Sequence, residues 1–228
     1  MNAEAIQLRM LKAMHPDHGA EPPRNWQQRK SAQTRQKIVQ AGIDCLVHGG
    51  YSNLTTAAVA ERCSVSRGAM HHHFATRLEL VSAVVHDVFY RRMTIFLDDY
   101  FAAVRDRGEE LLVEVAWEAH WRSIHTPEYA AYIELAIASR TDPELAREFD
   151  PAARRFDEVW TTEMIEAFPQ WELQWDAMKL ASDLTRSLHM GMLLHENVLG
   201  NGARMDQLRE FAIKMVRELH EQGIKPAD

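Results

Sequence analysis

Apolar residues recur at three- and four-residue spacing along most of the chain, the period of a helix with one buried side. Ile6, Met10 and Met14 predict a short amphipathic helix, and HPDHGAEPPRNW after it, with a glycine and two adjacent prolines, predicts an extended connector. Ile38, Ala41, Gly42, Cys45 and Leu46 share one face of a helix expected over 31–48, which Gly49 and Gly50 stop. Thr55 caps a short helix carrying Val59 and Ala60 and ending near Arg62. Ser66 offers the next cap, and Ala69, Met70, His73 and Phe74 predict about two more turns over 67–74. Thr76 and Glu79 form a capping box for a longer helix whose apolar side runs through Leu80, Val81, Val84, Val85, Val88 and Phe89 toward Phe96 and Tyr100.

Beyond Arg107 the pattern stays helical. Leu111, Leu112, Val115, Ala116 and Ala119 mark one helix. Thr126, Pro127, Glu128 and Asp142, Pro143, Glu144 each combine an N-cap, a first-turn proline and an acid near the positive end of the helix dipole. Pro151 is expected to kink or restart the second of these helices, with Asp150 available as a cap, and Pro169 to end it. Two long helices are expected over 172–199 and 205–222, separated at Gly200 to Gly202. No segment alternates with a period of two between turn signals, so the predicted fold class is all-α.

Helix, tight turn, helix over 55–74 is the geometry in which a second helix enters the DNA major groove with its first turn at the base edges. The stretch 34–80 resembles the amino-terminal domain of TetR-type transcriptional repressors, through Ile38, Val39, Ala41, Gly50, Tyr51, Thr55, Val59, Ala60, Val65, Ser66, Gly68, Phe74 and Leu80. Three positions depart from that family's usual pattern: Ser64 stands where a turn glycine is common, His71 where a tyrosine is common and Arg77 where a lysine is common. The implied organisation is a basic arm over 1–30, a helix-turn-helix domain over 31–78, and a helical ligand-binding and dimerisation domain over 79–228 whose first element, 79–104, connects the two. The expected DNA-contacting residues are Thr55, Thr56, Ser66, Arg67, Gly68, His71, His72 and Arg77. Arg67 is the first choice because arginine binds guanine in a two-pronged way, and Arg77 suits a backbone phosphate, being at a helix start where few internal partners compete. Arg24, Arg29 and Lys30 are candidates for further phosphate or minor-groove contacts, a solvated tail being the alternative.

The net charge of −7 over 228 residues turns out to be divided unevenly. Between Arg24 and Arg77 eight basic residues face two acidic ones, a local +6 that leaves −13 for the rest. Phosphate binding needs only that local surface. Cys45 and Cys63 fall on apolar faces and are expected to be buried free thiols, and no apolar run is long enough for a membrane span or signal peptide, so a cytoplasmic protein is expected.

The resemblance implies an inducer site in the second domain and a homodimer. Phe89, Trp117, Trp121, Met164, Met178, His189 and Met192 are the candidates to line the site, a small, mostly apolar inducer being the expected ligand, although methionine and tryptophan at helical spacing also serve as ordinary core. Leu184, Leu188, Gly191, Leu208, Phe211 and Met215 are the candidates for a four-helix dimer interface, with the subunit's own core as the competing use of the same faces. No catalytic motif marks an enzyme, and no cofactor is expected. His71, His72 and His73 point about 100° apart on a helix and cannot converge on one ion, so no metal is expected either. The reading is a repressor that binds a palindromic double-stranded operator and is released by its inducer; the alternative is an architectural DNA-binding or interaction protein without ligand control.

Overall fold

Ile6, Met10 and Met14 are all buried, on one side of α1 (Ala3–Met14). The computed structural model describes residues 3–16, 25–107, 112–167, 172 and 174–222, and among them every regular element is a helix. Arg24, Leu111, Pro169 and most of the proline-rich connector lie outside the described residues. No helix among those described is long and apolar enough to cross a membrane.

α2 (Trp26–Gly49) begins earlier than the expected Ser31, because the Asn25 side chain accepts the free backbone amide of Gln28 at 2.9 Å and so starts the helix there. Its apolar face buries Ile38, Val39, Ala41, Ile43, Cys45 and Leu46. A Cβ on Gly42 would lie 2.6 Å from Val84 Cγ2, so the absent side chain is what allows that close approach. Gly50, at φ +70° and ψ −178°, ends α2 in a conformation open to glycine alone and returns its N–H to the Leu46 carbonyl at 2.9 Å.

A single 3-10 turn, Tyr51–Asn53, leads through the fully buried Leu54 into α3 (Thr56–Arg62). Thr55 Oγ1 accepts from Ala58 N–H at 3.2 Å, and Ser66 Oγ accepts from Ala69 N–H at 3.1 Å to start α4 (Arg67–His73), both as expected. Between the helices Ser64 takes φ +53°, while Val65 N–H reaches the Ala60 carbonyl at 3.0 Å in a C-terminal capping turn. A side chain in that left-handed conformation costs about 1–2 kcal/mol. Ser64→Gly is therefore expected to raise the free energy of unfolding by about 0.5–1 kcal/mol, after the larger entropy of a glycine in the unfolded chain is counted. A urea titration checks this; an unchanged or lower value would show that the turn carries no such strain.

The capping box at α5 (Arg77–Arg107) is present, with Glu79 N–H donating to Thr76 Oγ1 at 3.1 Å and the Glu79 carboxylate accepting from Ala75 N–H at 2.9 Å. Leu80, Val81, Val84, Val85, Val88 and Phe89 are all buried.

The chain divides into two compact units. The first comprises residues 8–94 and 126–159: α2 to α4, the start of α5, α7 (Pro127–Ser139, capped by Thr126) and most of α8 (Pro143–Ala167, capped by Asp142). Here Phe89 packs among Tyr132, Phe149 and Phe156 with ring centroids 5.4–5.7 Å away, and the Arg92 guanidinium lies 3.7 Å from the centre of the Tyr132 ring. Pro151 does not restart α8, which runs as one helix from Pro143 to Ala167. The carbonyl that loses its partner belongs to Arg147, four residues back, and both residues are exposed, so water can supply the missing hydrogen bond.

The second unit comprises residues 1–7, 95–125 and 160–228. α6 (Leu112–Ser123), α9 (Trp175–Leu194) and α11 (Ala203–Gln222) enclose a core of Trp117, Ala181, Met192, Met205, Ala212 and Val216. The helix expected to run to Leu199 is broken: α9 stops at Leu194, and Glu196–Leu199 form the separate turn α10. At the break, His195 engages the Gly191 carbonyl through its backbone N–H at 3.1 Å and its ring Nδ1 at 2.9 Å.

Candidate nucleic-acid interface and aromatic cluster

The outer side of α4 is built by what its inner side buries. Met70 and Phe74 are buried and His73 is half-buried, its pKa lowered first by burial and then by the neighbouring His72 and Arg35. At 100° per residue this leaves Arg67, Gly68, His71 and His72 on the other side, and all four are exposed. A Cβ on Gly68 would meet only Ser66 Oγ, at 4.0 Å, so nothing inside the protein requires a glycine there. What the small residue leaves is room for a surface to come close to the start of α4. Thr55 and Ser66 use an oxygen lone pair to cap their helices, yet each hydroxyl keeps its own hydrogen to donate; Thr56, half-buried at the start of α3, stands beside the first of them.

Arg77 corrects the expectation that few internal partners compete for it. Its Nε donates to the Leu54 carbonyl at 2.9 Å, Nη2 to the Tyr51 carbonyl at 3.4 Å, and the guanidinium lies 4.6 Å from the centre of the Tyr51 ring. The Tyr51 carbonyl already accepts from Leu54 N–H at 3.1 Å within the 3-10 turn, so Arg77, from the first residue of α5, adds a second donor there and is the side chain that reaches the Leu54 carbonyl just past the turn. Tyr51 is held in turn by a hydrogen bond to the Asp142 carboxylate; its pKa is raised chiefly by burial.

The second unit brings four of the seven candidate pocket residues together. His189 is fully buried, 4.0 Å from the Trp117 ring and 5.2 Å from the Trp121 ring, while Met192 belongs to the same core as Trp117. His120, which sequence reasoning missed, stacks on His189 with Nδ1 to Nδ1 at 2.7 Å, a hydrogen bond in which one ring donates and the other accepts. The signal was present in Trp117, His120 and Trp121, which fall on one face of α6. Burial, the nearby Arg209 and then His125 lower the His189 pKa to about 3, so its ring is neutral at pH 7. Met164 is buried and Met178 half-buried in this unit. Phe89 does not join the cluster; it sits in the aromatic group of the first unit.

Of the candidate interface residues, Leu184, Leu188 and Leu208 are half-buried against the subunit's own core, and Met215 is half-buried. Phe211 is 61% exposed, and a Cβ on Gly191 would meet open space. Leu180, Leu194 and Val198 are also exposed on this part of the chain.

Residues 38–84 match the family described as bacterial regulatory proteins, tetR family. They form a TetR-family DNA-binding domain. Its last matched residue, Val84, is the one that packs against Gly42, so the TetR-type domain includes the first two turns of α5. An HTH-type transcriptional regulator of Mycobacterium tuberculosis, itself uncharacterised, is 28% identical over 120 residues, 52% of this chain and 60% of that protein. The match therefore spans less than two thirds of that relative's length. The HTH-type transcriptional regulator CymR of Pseudomonas putida is 22% identical over 201 residues, 86% of this chain and 96% of CymR. Among solved structures, the multidrug binding protein EbrR complexed with imidazole superposes with a TM-score of 0.61 at 16% identity, covering 85% of this chain and 96% of that one. That likeness shows a shared fold.

Proposed function

We propose that this chain is a cytoplasmic transcriptional repressor that grips a palindromic operator as a homodimer through α4, and that its second unit takes up a small, mostly apolar ligand that releases the DNA. The observation that carries the reading is the exposed face of Arg67, Gly68, His71 and His72 behind two hydroxyl caps, on a TetR-type domain with a local excess of positive charge. The ligand half rests on the buried aromatic and histidine cluster in α6 and α9, together with the EbrR fold, whose described member is a multidrug binding protein. Release follows if the ligand favours a spacing of the two α4 helices other than about 34–36 Å, one turn of DNA. DNA and ligand must then weaken each other by the same factor.

Selection of bound duplexes from a random pool tests this directly. An inverted repeat is expected to emerge, with an affinity that falls steeply as salt rises. Enrichment without a palindrome would favour an architectural protein, and no enrichment would remove the reading.

A further inference from the structure

Among the described residues, one arginine of the second unit makes no ion pair with an acid. Arg209, on α11, lies with its guanidinium 4.5 Å from the centre of the Trp121 ring, and its Nε is buried without a hydrogen-bond partner. Two acids of this unit, Glu114 and Glu118, pair with other cations, Arg217 at 2.5 Å and Arg107 at 2.8 Å. On the same indole rests His189, fully buried, whose Nε2 likewise has no partner. A buried polar nitrogen without a hydrogen-bond partner costs about 1–3 kcal/mol, so two of them against one aromatic ring mark a place built for a group not supplied by the chain.

The chemistry of that group follows from the donors. Arg209 supplies a permanent positive charge and an Nε–H that can only donate. The short His120 to His189 contact requires one Nδ1–H and one bare Nδ1. Either tautomer satisfies that contact, and an acceptor placed at Nε2 selects the one in which His120 Nδ1–H donates to the bare Nδ1 of His189 and the neutral His189 ring carries its hydrogen on Nε2. Two donors and one uncompensated cation call for an acceptor that is an anion. Trp117, Trp121 and Met192 beside them call for an apolar body attached to it.

We propose that Arg209 and His189 hold the carboxylate of a small apolar acid against the Trp121 ring. This rests on the reading of the second unit as the ligand-receiving part, and narrows that ligand from any apolar molecule to an aryl or alkyl carboxylate. A charge-assisted pair of hydrogen bonds makes the difference between the acid and its neutral counterpart large, because the neutral molecule leaves Arg209 as it is now.

Benzoate and its uncharged counterpart benzamide test this on the full-length chain by isothermal titration calorimetry. Benzoate is expected to bind at least about tenfold tighter than benzamide, and Arg209→Gln to abolish that preference while leaving the helical circular dichroism unchanged. Arg209→Lys, which keeps the charge, is expected to retain part of it. Equal binding of the two probes, binding of neither, or a preference that survives Arg209→Gln would overturn the proposal. Operator binding measured alongside separates it from the wider reading. Benzoate bound through Arg209 without releasing DNA would leave this site standing and remove the inducer role. Release by benzamide with no binding of benzoate would do the reverse.

Discussion

Replacing Arg67 by alanine is expected to lower affinity for the selected operator by at least about thirtyfold. An arginine that binds a guanine edge is worth about 1–3 kcal/mol, and a dimer on an inverted repeat loses that amount in both half-sites. The residue is exposed in the first turn of α4, so its removal leaves the folded domain as stable as before. Arg77→Ala is expected to behave oppositely. It removes the hydrogen bonds to the Leu54 and Tyr51 carbonyls, so the domain unfolds about 1–3 kcal/mol more easily, while the salt dependence of DNA binding changes little. Fluorescence anisotropy with the selected duplex at several salt concentrations, paired with urea unfolding of each variant, distinguishes the two. If Arg67→Ala stays within about threefold of the parent chain with the same salt slope, α4 does not read bases through this residue.

Acidification is expected to destabilise the protein well above the usual range of carboxylate titration. His189 ordinarily would titrate near 6.5 but is held to about 3, so between these values the unfolded chain binds a proton that the folded chain refuses. Stability is therefore unaffected by this group above about pH 6.5 and falls as pH drops from there toward 3, with a slope approaching about 1.4 kcal/mol per pH unit. Between pH 6.5 and 4.5 the loss amounts to about 2–3 kcal/mol. His73 and His220, both lowered mainly by burial, add to it in the same direction. Denaturant unfolding as a function of pH measures the slope, and His189→Gln is expected to flatten it, whatever that substitution costs in packing at neutral pH. A His189→Gln chain with the slope of the parent would show that the buried imidazole is not the source. The carboxylate proposed beside His189 would reduce the same penalty, since an anion near the ring favours its protonated form.

Much of the helix-turn-helix half was legible in the order of residues because its signals are local. Thr55, Ser66, Thr76, Thr126 and Asp142 each satisfy an amide two or three residues away, and Gly50 stops α2 by its own backbone freedom. Such contacts form within one turn and do not depend on where the rest of the chain goes. The same is true of the exposure of Arg67, which follows once Met70 and Phe74 are assigned to the inner face three and seven residues on. Even the departure at Ser64 was visible as a missing glycine, and the backbone there takes the left-handed conformation that a glycine would adopt freely.

Other features were decided only when distant segments met. Arg77 looked free because the carbonyls that hold it belong to residues 51 and 54, more than twenty positions back, and end a 3-10 turn that periodicity does not reveal. α7 and most of α8 pack into the unit that contains the TetR-type domain, and no local cap or stripe encodes which unit a helix joins. Arg209 carried no signal at all: its meaning comes from an indole eighty-eight residues earlier and from a buried Nε with no hydrogen-bond partner among the described residues. Caps, stops and helical faces are properties of neighbouring residues, so the linear order sufficed for most of the helices and for the exposed face of α4. Burial of a charge, or of a neutral histidine, is a property of everything packed around it, and for His189 and Arg209 only the tertiary structure supplied that surrounding.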